Sequence, residues 1–327
     1  MVNDADGPSD SDPGPRLRIV YFGTPAFAVP SLERLLASRH QVVALVSQPD
    51  RHRGRGQHLQ PTPTKEVALA HNLPVLQPSR IKDEAFLKAI RDLSADLGVV
   101  AAFGRILPDA LLAIPRLGMI NVHASLLPRY RGAAPVHRAV LAGEAETGVT
   151  IMRVVSELDA GPMFATQTIP ISRDATSGDI ERGLAVSGAE LLLSVVDDLA
   201  AGRAVERPQD LRLVTHAAKI TKEEGAIDWT DSARSLHNKI RGLQPWPLAS
   251  TTLGGVRYVI RRSATTDQIT AARPGEIVSA HGDNLIVAAG GGSALRILEL
   301  QPEGRRAMTA REFLAGHRVT PGDRFGS

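Results

Sequence analysis

The sequence predicts an α/β protein: a Rossmann-like, doubly wound and mostly parallel sheet, followed by a small C-terminal β-barrel of OB-like type. In the first two thirds of the chain, near-continuous apolar runs alternate with segments of helical periodicity. This alternation is typical of β-α-β units that build a parallel sheet. Beyond about residue 250, short β-rich runs follow one another and are separated by glycine-containing turns. That second pattern favours an antiparallel barrel.

The parallel sheet is expected to begin at residues 17–24, where the β-branched and aromatic run LRIVYFGT ends at a glycine and a threonine. Further apolar runs predict strands at 41–48, 73–78, 95–104, 117–123, 147–155 and 163–171. The segments between and after them predict helices at 30–38, 64–72, 83–93, 132–143 and 177–201. The basic segment between the second strand and the second helix is interpreted as a loop.

The composition of the chain changes near residue 207, where a polar stretch with few apolar pairs begins. We therefore expect a leader at 1–15, a catalytic domain at 16–206, a linker at 207–226 and a C-terminal β-barrel domain at 227–327. The barrel is expected to follow one helix, at 232–243. Residues 226–327 carry 13 Lys and Arg against 9 Asp and Glu, which indicates a modestly basic region suited to a polyanionic partner.

Composition narrows the class of protein. A chain of 327 residues with 43% hydrophobic and 22% charged residues can form about two globular domains. It contains no cysteine, which excludes disulfides, thiol nucleophiles and Cys-ligated metals. Residues 1–15 are acidic, lack an apolar centre and are expected to be a disordered leader rather than a secretory signal. No apolar run reaches 18 residues, so we expect a cytoplasmic protein without a membrane partner.

Several common ligand motifs are absent. The first predicted strand is followed by FGTPAFAVP rather than G-x-G-x-x-G, so a nicotinamide cofactor is not expected. No phosphate-binding G-x-x-x-x-G-K-[ST] loop occurs, and the histidines lack metal-ligand spacing. The glycines at 290–292 lie between two β runs and predict a hairpin turn.

The segment NVHASLLPRYRGAAP, at residues 121–135, carries the strongest chemical signal. Asn121 and His123 are two residues apart at the end of a predicted strand, so their side chains are expected on the same face. Asp159 lies in a turn between two later strands, and loops of a parallel sheet converge at its C-terminal edge. An amide donor, an imidazole and a carboxylate together suit the attack of an amine on a carbonyl carbon.

Each of these residues also has an ordinary structural interpretation. An asparagine after a strand or an aspartate between strands is commonly a turn residue, and a single histidine is more often structural than catalytic. Taken separately, the three positions therefore leave catalysis and structure both open.

The same segment, together with TGVTIM and LDAG downstream, resembles the 10-formyltetrahydrofolate-dependent formyltransferase family. That resemblance implies that Asn121, His123 and Asp159 are the catalytic residues. It also implies that the SLLP segment contacts the folate, through Ser125, Leu126, Leu127 and Pro128. The chain departs from the usual family pattern at Ala124 and Glu157, where glycine is frequent; neither change removes a catalytic group.

Within the family, features along the whole chain resemble the members that act on initiator methionyl-tRNA. They are FGTPAFAVPSLERLL, QPDRHRGRGQHLQPTPTK, AAKITKEEGAIDW, QPWP and the β-rich C-terminal part, which together span about residues 16–322. The resemblance implies transfer of a formyl group from 10-formyltetrahydrofolate to the α-amine of the attached methionine. Formylmethionyl-tRNA for translation initiation and tetrahydrofolate would be the products, and no metal is expected. We further expect a monomer.

Contacts to tRNA are expected from two basic regions. One is the loop that contains Arg51, Arg53 and Arg55, interleaved with Gly54 and Gly56. The resemblance implies that this loop contacts the acceptor end of the tRNA and that Arg55 is functionally important. The other is the C-terminal domain, with Lys239 and Arg241. Because the domain has few aromatic residues, we expect contacts to backbone phosphates rather than base stacking.

Two other functions remain open at this point. A sugar-amine formyltransferase would use the same chemistry on a nucleotide-linked amine, and the basic loop argues against it. A non-catalytic RNA-binding protein with a folate-like pocket would bind tRNA without releasing tetrahydrofolate, and the complete Asn, His and Asp set argues against that.

Overall fold

The computed structural model describes residues 14–53 and 58–326. The strands are β1 (Arg18–Gly23), β2 (Gln41–Val46), β3 (Arg51–Arg53), β4 (His58–Gln60), β5 (Val75–Leu76), β6 (Leu97–Ala101), β7 (Met119–His123), β8 (Arg131–Gly132), β9 (Glu146–Arg153), β10 (Met163–Pro170), β11 (His216–Ala217), β12 (Ala249–Leu253), β13 (Val256–Thr265), β14 (Ile277–His281), β15 (Asn284–Ala288), β16 (Ala294–Pro302), β17 (Met308–Thr309) and β18 (Phe325–Gly326). The helices are α1 (Val29–Leu36), α2 (Pro63–Ala70), α3 (Glu84–Asp92), α4 (Asp109–Leu112), α5 (Pro135–Ala142), α6 (Ser177–Ala200), α7 (Ala233–Gly242) and α8 (Ala310–Gly316). Short 3-10 turns lie at Ala26–Ala28, Leu211–Leu213 and Glu223–Gly225.

The first sheet has seven strands in the order β10-β9-β7-β6-β1-β2-β5. The five strands from β7 to β5 are parallel, because β1 pairs in parallel with both β2 and β6, β2 with β5, and β6 with β7. The chain leaves β1 in one direction towards β2 and returns on its other side at β6. This order confirms the doubly wound, mostly parallel sheet, and it places a topological switch point at the ends of β1 and β6.

The sheet forms where the sequence has continuous apolar runs. Every residue of β1 after Arg18 is buried, which requires side-chain packing on both faces of the strand. One face contributes Val20 and Phe22 to a core shared with Phe86 and Ile90 of α3. Phe22 meets the ring of Phe103 edge-on, with ring centroids 5.5 Å apart. Each buried side chain of this size stabilises the fold by about 1.5–3 kcal/mol.

Strand β9 turns the sheet from parallel to mixed. It pairs antiparallel with β7, so that His123 lies opposite Thr150 and Asn121 lies opposite Met152. The next neighbour in the sheet is β10, and the turn between β9 and β10 contains Asp159. The start of β9 and the turn after it therefore lie on opposite ends of a strand that borders β7.

The described parts of the predicted basic loop contain a two-stranded antiparallel hairpin, since β3 pairs with β4 from Arg51 opposite Gln60 to Arg53 opposite His58. The expectation of a plain loop is wrong for these residues. Short polar runs without apolar alternation carry little strand signal, which explains the miss. Arg55 lies outside the described residues.

The second sheet is antiparallel in the order β14-β15-β16-β13-β12-β18, with β17 added to β16. Its two ends approach each other, because the Phe325 amide of β18 donates to the Gly275 carbonyl just before β14. Tyr258 and Phe313 pack edge-on in the interior. This confirms the predicted C-terminal β-barrel, and the glycines at 290–292 occupy the turn between β15 and β16 as expected.

The chain divides into two compact units, and each is formed from separate stretches. One comprises residues 14–132, 148–169 and 181–216; the other comprises 133–147, 170–180 and 217–326. The expected division into continuous domains with a linker at 207–226 stays a prediction. No helix in the described part of the chain combines the length and apolar character needed to cross a membrane.

Candidate active site

The C-terminal end of β7 carries the first two predicted residues. The run before them is buried, and Asn121 and His123 follow on the same strand face. His123 is 6% exposed, whereas Asn121 is partly exposed. No hydrogen bond joins the Asn121 side-chain amide to the part of the chain that the structure describes. Its donors are therefore available to a ligand at the edge of the sheet.

The two ring nitrogens of His123 have different surroundings. Nε2 lies 3.1 Å from the carbonyl oxygen of Tyr130. Because a carbonyl oxygen only accepts hydrogen bonds, Nε2 must carry a proton in this arrangement. Nδ1 faces Asp159 Oδ2 at 3.7 Å, which is too long for a hydrogen bond but within ion-pair distance. Nδ1 therefore has no hydrogen-bond partner among the residues that the structure describes.

Asp159 is held in a strained turn. Its φ of 50° is in the left-handed region, which aspartate tolerates better than most residues. Its Oδ2 accepts a hydrogen bond of 2.8 Å from the Gly132 amide. Gly161 follows two residues later, and a Cβ there would lie 1.9 Å from the Arg153 carbonyl oxygen. The LDAG sequence is therefore matched to this turn, because only glycine allows the close approach.

The SLLP segment is anchored from β9. Thr150 donates its hydroxyl to the Ser125 carbonyl at 2.7 Å and accepts from the Leu127 amide at 3.2 Å. The Ser125 hydroxyl donates to the Arg129 carbonyl at 2.7 Å, and the Leu127–Pro128 peptide is cis. Ser125, Leu127 and Pro128 are buried, while Leu126 is half-buried. The segment therefore has a hydrogen-bonded backbone and one partly exposed leucine.

Sequence reasoning missed a polar network behind Asp159. Gln209 donates from Nε2 to the Asp159 and Gly161 carbonyls, both at 2.8 Å. Its Oε1 accepts from Nε and Nη2 of Arg131, at 3.0 and 2.8 Å. Arg131 stands in the quoted motif, but Gln209 lies in the polar segment interpreted as a linker, and no local pattern marks it. Thr150, in the TGVTIM segment, is a further anchoring residue that no local pattern marks.

The chain matches known protein families over most of its length. Residues 17–196 match the formyl transferase family, and residues 219–318 match the formyl transferase C-terminal domain. The chain is 46% identical over 310 residues to the methionyl-tRNA formyltransferase of Moorella thermoacetica, an alignment that covers 95% of this chain and 99% of that protein. It is 48% identical over 312 residues to the one of Methylobacillus flagellatus, covering 95% and 100%. The chain belongs to the formyl transferase family, among its methionyl-tRNA formyltransferases.

Solved structures with much lower identity share the fold. An N-formyltransferase from Helicobacter canadensis, in complex with folinic acid and dTDP-3-aminofucose, matches with a TM-score of 0.66 at 16% identity, over 86% of this chain and 98% of that one. HypX from Aquifex aeolicus, in complex with tetrahydrofolic acid, matches with a TM-score of 0.63 at 17% identity, over 92% of this chain and 47% of that one. Both support the architecture of the enzyme.

The structure places the residues predicted to contact tRNA in different environments. Arg51 is exposed at the start of β3, and Arg53 ends that strand. Lys239 is half-buried on α7. Arg241 is 6% exposed, and its guanidinium donates to Asn238 Oδ1 and to the Ala175 carbonyl. The expectation that Arg241 contacts tRNA therefore needs correction: it is a buried residue that ties α7 to residues 172–175.

Proposed function

We propose that this chain transfers the formyl group of 10-formyltetrahydrofolate to the α-amino group of methionine on initiator methionyl-tRNA. Formylmethionyl-tRNA for translation initiation and tetrahydrofolate are the products. The observation that carries the proposal is the identity of 46–48% over 95% of the chain to methionyl-tRNA formyltransferases that align over 99–100% of their own length. Conservation of length and sequence over both family regions supports the complete activity rather than the fold alone.

In the proposed mechanism, Asn121 and His123 act on the charge that develops at the formyl oxygen. The neutral α-amine attacks the formyl carbon, and electrons move to the formyl oxygen as that bond forms. The Asn121 amide donates a hydrogen bond to this oxygen, and protonated His123 donates from Nδ1. Such donors, held in place before the reaction, stabilise the transition state strongly because they need no reorganisation.

Asp159 has an electrostatic and a positioning role in this proposal. Its carboxylate lies 3.7 Å from His123 Nδ1 and so puts a negative charge next to the imidazole that donates to the formyl oxygen. The carbon–nitrogen bond to the folate then breaks, its nitrogen takes up a proton, and the amine gives one up, so the proton count balances. His123 and Asp159 are the groups near enough to one another to share this proton movement.

Folate contact is proposed for Ser125, Leu126, Leu127 and Pro128. The proposal is supported by the anchored backbone of the segment and the half-buried Leu126, and by the Asn121 amide, which has no hydrogen-bond partner among the described residues. Structural neighbours whose names include tetrahydrofolic acid or folinic acid support a folate ligand for this fold. When bound, the folate supplies the activated formyl group; the chain supplies orientation and charge stabilisation.

We propose tRNA contacts for Arg51, Arg53, Arg55 and Lys239, and we leave Arg241 out because it is buried. We also propose a monomeric, cytoplasmic enzyme that needs no metal and no membrane. The catalytic role would belong to residues 16–206 and the additional tRNA contact to residues 227–327.

The test is formyl transfer from 10-formyltetrahydrofolate to methionyl initiator tRNA by the parent and by an Asn121→Ala/His123→Ala double variant. We expect transfer by the parent and a loss of at least about 1,000-fold in the variant, because both oxyanion donors are gone. Transfer only to a nucleotide-linked sugar amine would assign a different substrate. Salt-dependent tRNA binding without any transfer would leave a non-catalytic RNA-binding protein.

A further inference from the structure

The tripeptide Tyr130-Arg131-Gly132 contacts each part of the site behind the reacting groups. The Tyr130 carbonyl accepts from His123 Nε2, and the Gly132 amide donates to Asp159 Oδ2. The guanidinium of Arg131, the residue between these two, donates two hydrogen bonds to Gln209 Oε1. Three consecutive residues therefore fix the imidazole, the carboxylate and a glutamine that itself reaches the Asp159 turn.

Gln209 has a defined orientation. It is 8% exposed, and Arg131, which is 4% exposed, can only donate to it. Oε1 must therefore face Arg131, and Nε2 must face the Asp159 and Gly161 carbonyls. The backbone two residues before Gln209 is also held by hydrogen bonds. The Arg207 amide donates to the Met163 carbonyl at 2.9 Å, and the Met163 amide, at the start of β10, donates to the Arg207 carbonyl at 2.8 Å.

The Asp159 turn needs such support. A non-glycine residue in the left-handed region is disfavoured, so the turn has lower-energy alternatives when it is not held. Gln209 bonds to the carbonyls on both sides of Ala160, which limits rotation of the backbone that carries the carboxylate. A shift of about 1 Å in a catalytic group can cost about 100-fold in rate.

We propose that Gln209, oriented by Arg131, is a positioning residue that holds Asp159 at its working distance from His123. This inference rests on the proposed function, because it assumes that Asp159 acts in formyl transfer. Gln209 acts through the backbone of the turn and touches no substrate in this assignment. Its loss should therefore lower kcat and leave the binding of methionyl-tRNA nearly unchanged.

The deciding variant is Gln209→Glu. A glutamate keeps both hydrogen bonds from Arg131, since carboxylate oxygens accept, but it cannot donate to the Asp159 and Gly161 carbonyls. We expect kcat to fall roughly 10- to 100-fold. The KM values for methionyl-tRNA and 10-formyltetrahydrofolate should stay within about 2-fold, because the substrate contacts remain.

A matched control is Gln244→Glu. Gln244 also donates from Nε2 to two backbone carbonyls, those of Ile240 and Arg261, but it has no bond to the Asp159 turn. We expect its kcat to stay within about 2-fold of the parent, since its bonds hold a different part of the chain. Equal losses of kcat in both variants would show a general effect of losing two hydrogen bonds and would overturn the assignment.

A double-mutant cycle separates positioning from general stability. If Gln209 acts through the Asp159 carboxylate, Gln209→Glu should lower kcat little further in an Asp159→Asn background. The same fold-loss in both backgrounds, or a parent-like kcat in the single variant, would overturn the inference.

If Gln209→Glu does not fold, as judged by thermal unfolding, Arg131→Lys takes its place. Lysine keeps the positive charge but cannot donate from two nitrogens to Gln209 Oε1 as arginine does. We therefore expect a smaller loss of kcat than in Gln209→Glu, and we expect this loss to be absent from the Asp159→Asn background. A parent-like kcat or an additive loss would count against the inference. Absence of transfer by the parent would instead overturn the proposed function itself.

Discussion

At the residue scale, the chemistry depends on which nitrogen of His123 is committed to the protein. The Tyr130 carbonyl accepts a hydrogen bond from His123 Nε2, so only Nδ1 remains for a reacting atom. Asp159 lies beside that nitrogen and not beside Nε2. The ring nitrogen that faces the carboxylate is therefore the one that the proposed mechanism uses. In the proposed mechanism, Asn121, two residues earlier on the same strand face, is an uncharged second donor.

Asp159→Asn tests the charge alone. Asparagine keeps an oxygen that can accept from the Gly132 amide, so the turn should persist, but the counter-charge for His123 is lost. We expect kcat to fall by about 100-fold or more, while KM for methionyl-tRNA stays within about 2-fold. Steady-state kinetics with both substrates varied gives the two constants.

The control for that variant is Asp92→Asn, which removes the same charge at an exposed position on α3. It should behave like the parent. A kcat for Asp159→Asn within about 3-fold of the parent would remove Asp159 from the mechanism, because a group in the transition state contributes far more.

At the scale of elements, helix α6 is joined to the sheet through a buried histidine. His40 Nδ1 accepts from the Leu17 amide at 3.1 Å, and Nε2 donates to Asp197 of α6 at 3.0 Å. The imidazole is therefore neutral in the folded protein. Burial lowers its pKa from 6.5, the Asp197 hydrogen bond opposes this, and the charge of Arg39 adds to the lowering.

This arrangement predicts a stability that depends on pH. In the unfolded chain, His40 is protonated near its ordinary pKa of 6.5. In the folded protein its pKa is lower, so protonation requires a lower pH. The contribution of neutral His40 to the free energy of unfolding is complete above pH 6.5. It is lost as the pH falls below that value towards the folded-state pKa. We expect the free energy of unfolding to fall between pH 7 and pH 5, and to fall less in His40→Asn.

Urea unfolding at a series of pH values measures this effect. Asparagine can accept from the Leu17 amide without titrating, which makes the substitution specific for the proton. His71→Asn is the control, since His71 is exposed at the end of α2 and should leave the pH dependence unchanged. The same pH dependence in the His40 variant and in the parent would contradict the assignment.

At the scale of the whole molecule, the positive charge lies where a nucleic acid is proposed to bind. Residues 226–327 have an excess of four positive charges, and the exposed arginines of β13 include Arg257 and Arg262. Arg241 does not belong to this set, because it is buried on α7. Phosphate contacts by exposed arginines release counterions from the RNA, so binding should weaken as salt rises.

We therefore expect KM for methionyl-tRNA to rise steeply with salt between about 50 and 200 mM. Arg257→Gln should reduce the slope of log KM against log salt by about 1 if that residue contacts a phosphate. Arg273→Gln is the control, because Arg273 already pairs with Glu276. A parent-like slope for Arg257→Gln would show that this residue contacts no phosphate of the tRNA.

The sequence by itself determined the elements and the chemical motif. Alternating apolar runs and helical segments were sufficient for the doubly wound sheet, since side-chain periodicity is a property of neighbouring residues. The two-residue spacing of Asn121 and His123 was sufficient to put them on one strand face.

Only the tertiary structure decided which distant groups meet. Gln209 reaches Asp159 across 50 residues of chain, and Arg241 is buried although its sequence context resembles a basic surface. Both outcomes depend on how packed elements approach one another. Hydrogen-bond partners far apart in the chain and burial of a charge follow from that packing and have no local periodicity, so a single sequence contains no direct signal for them.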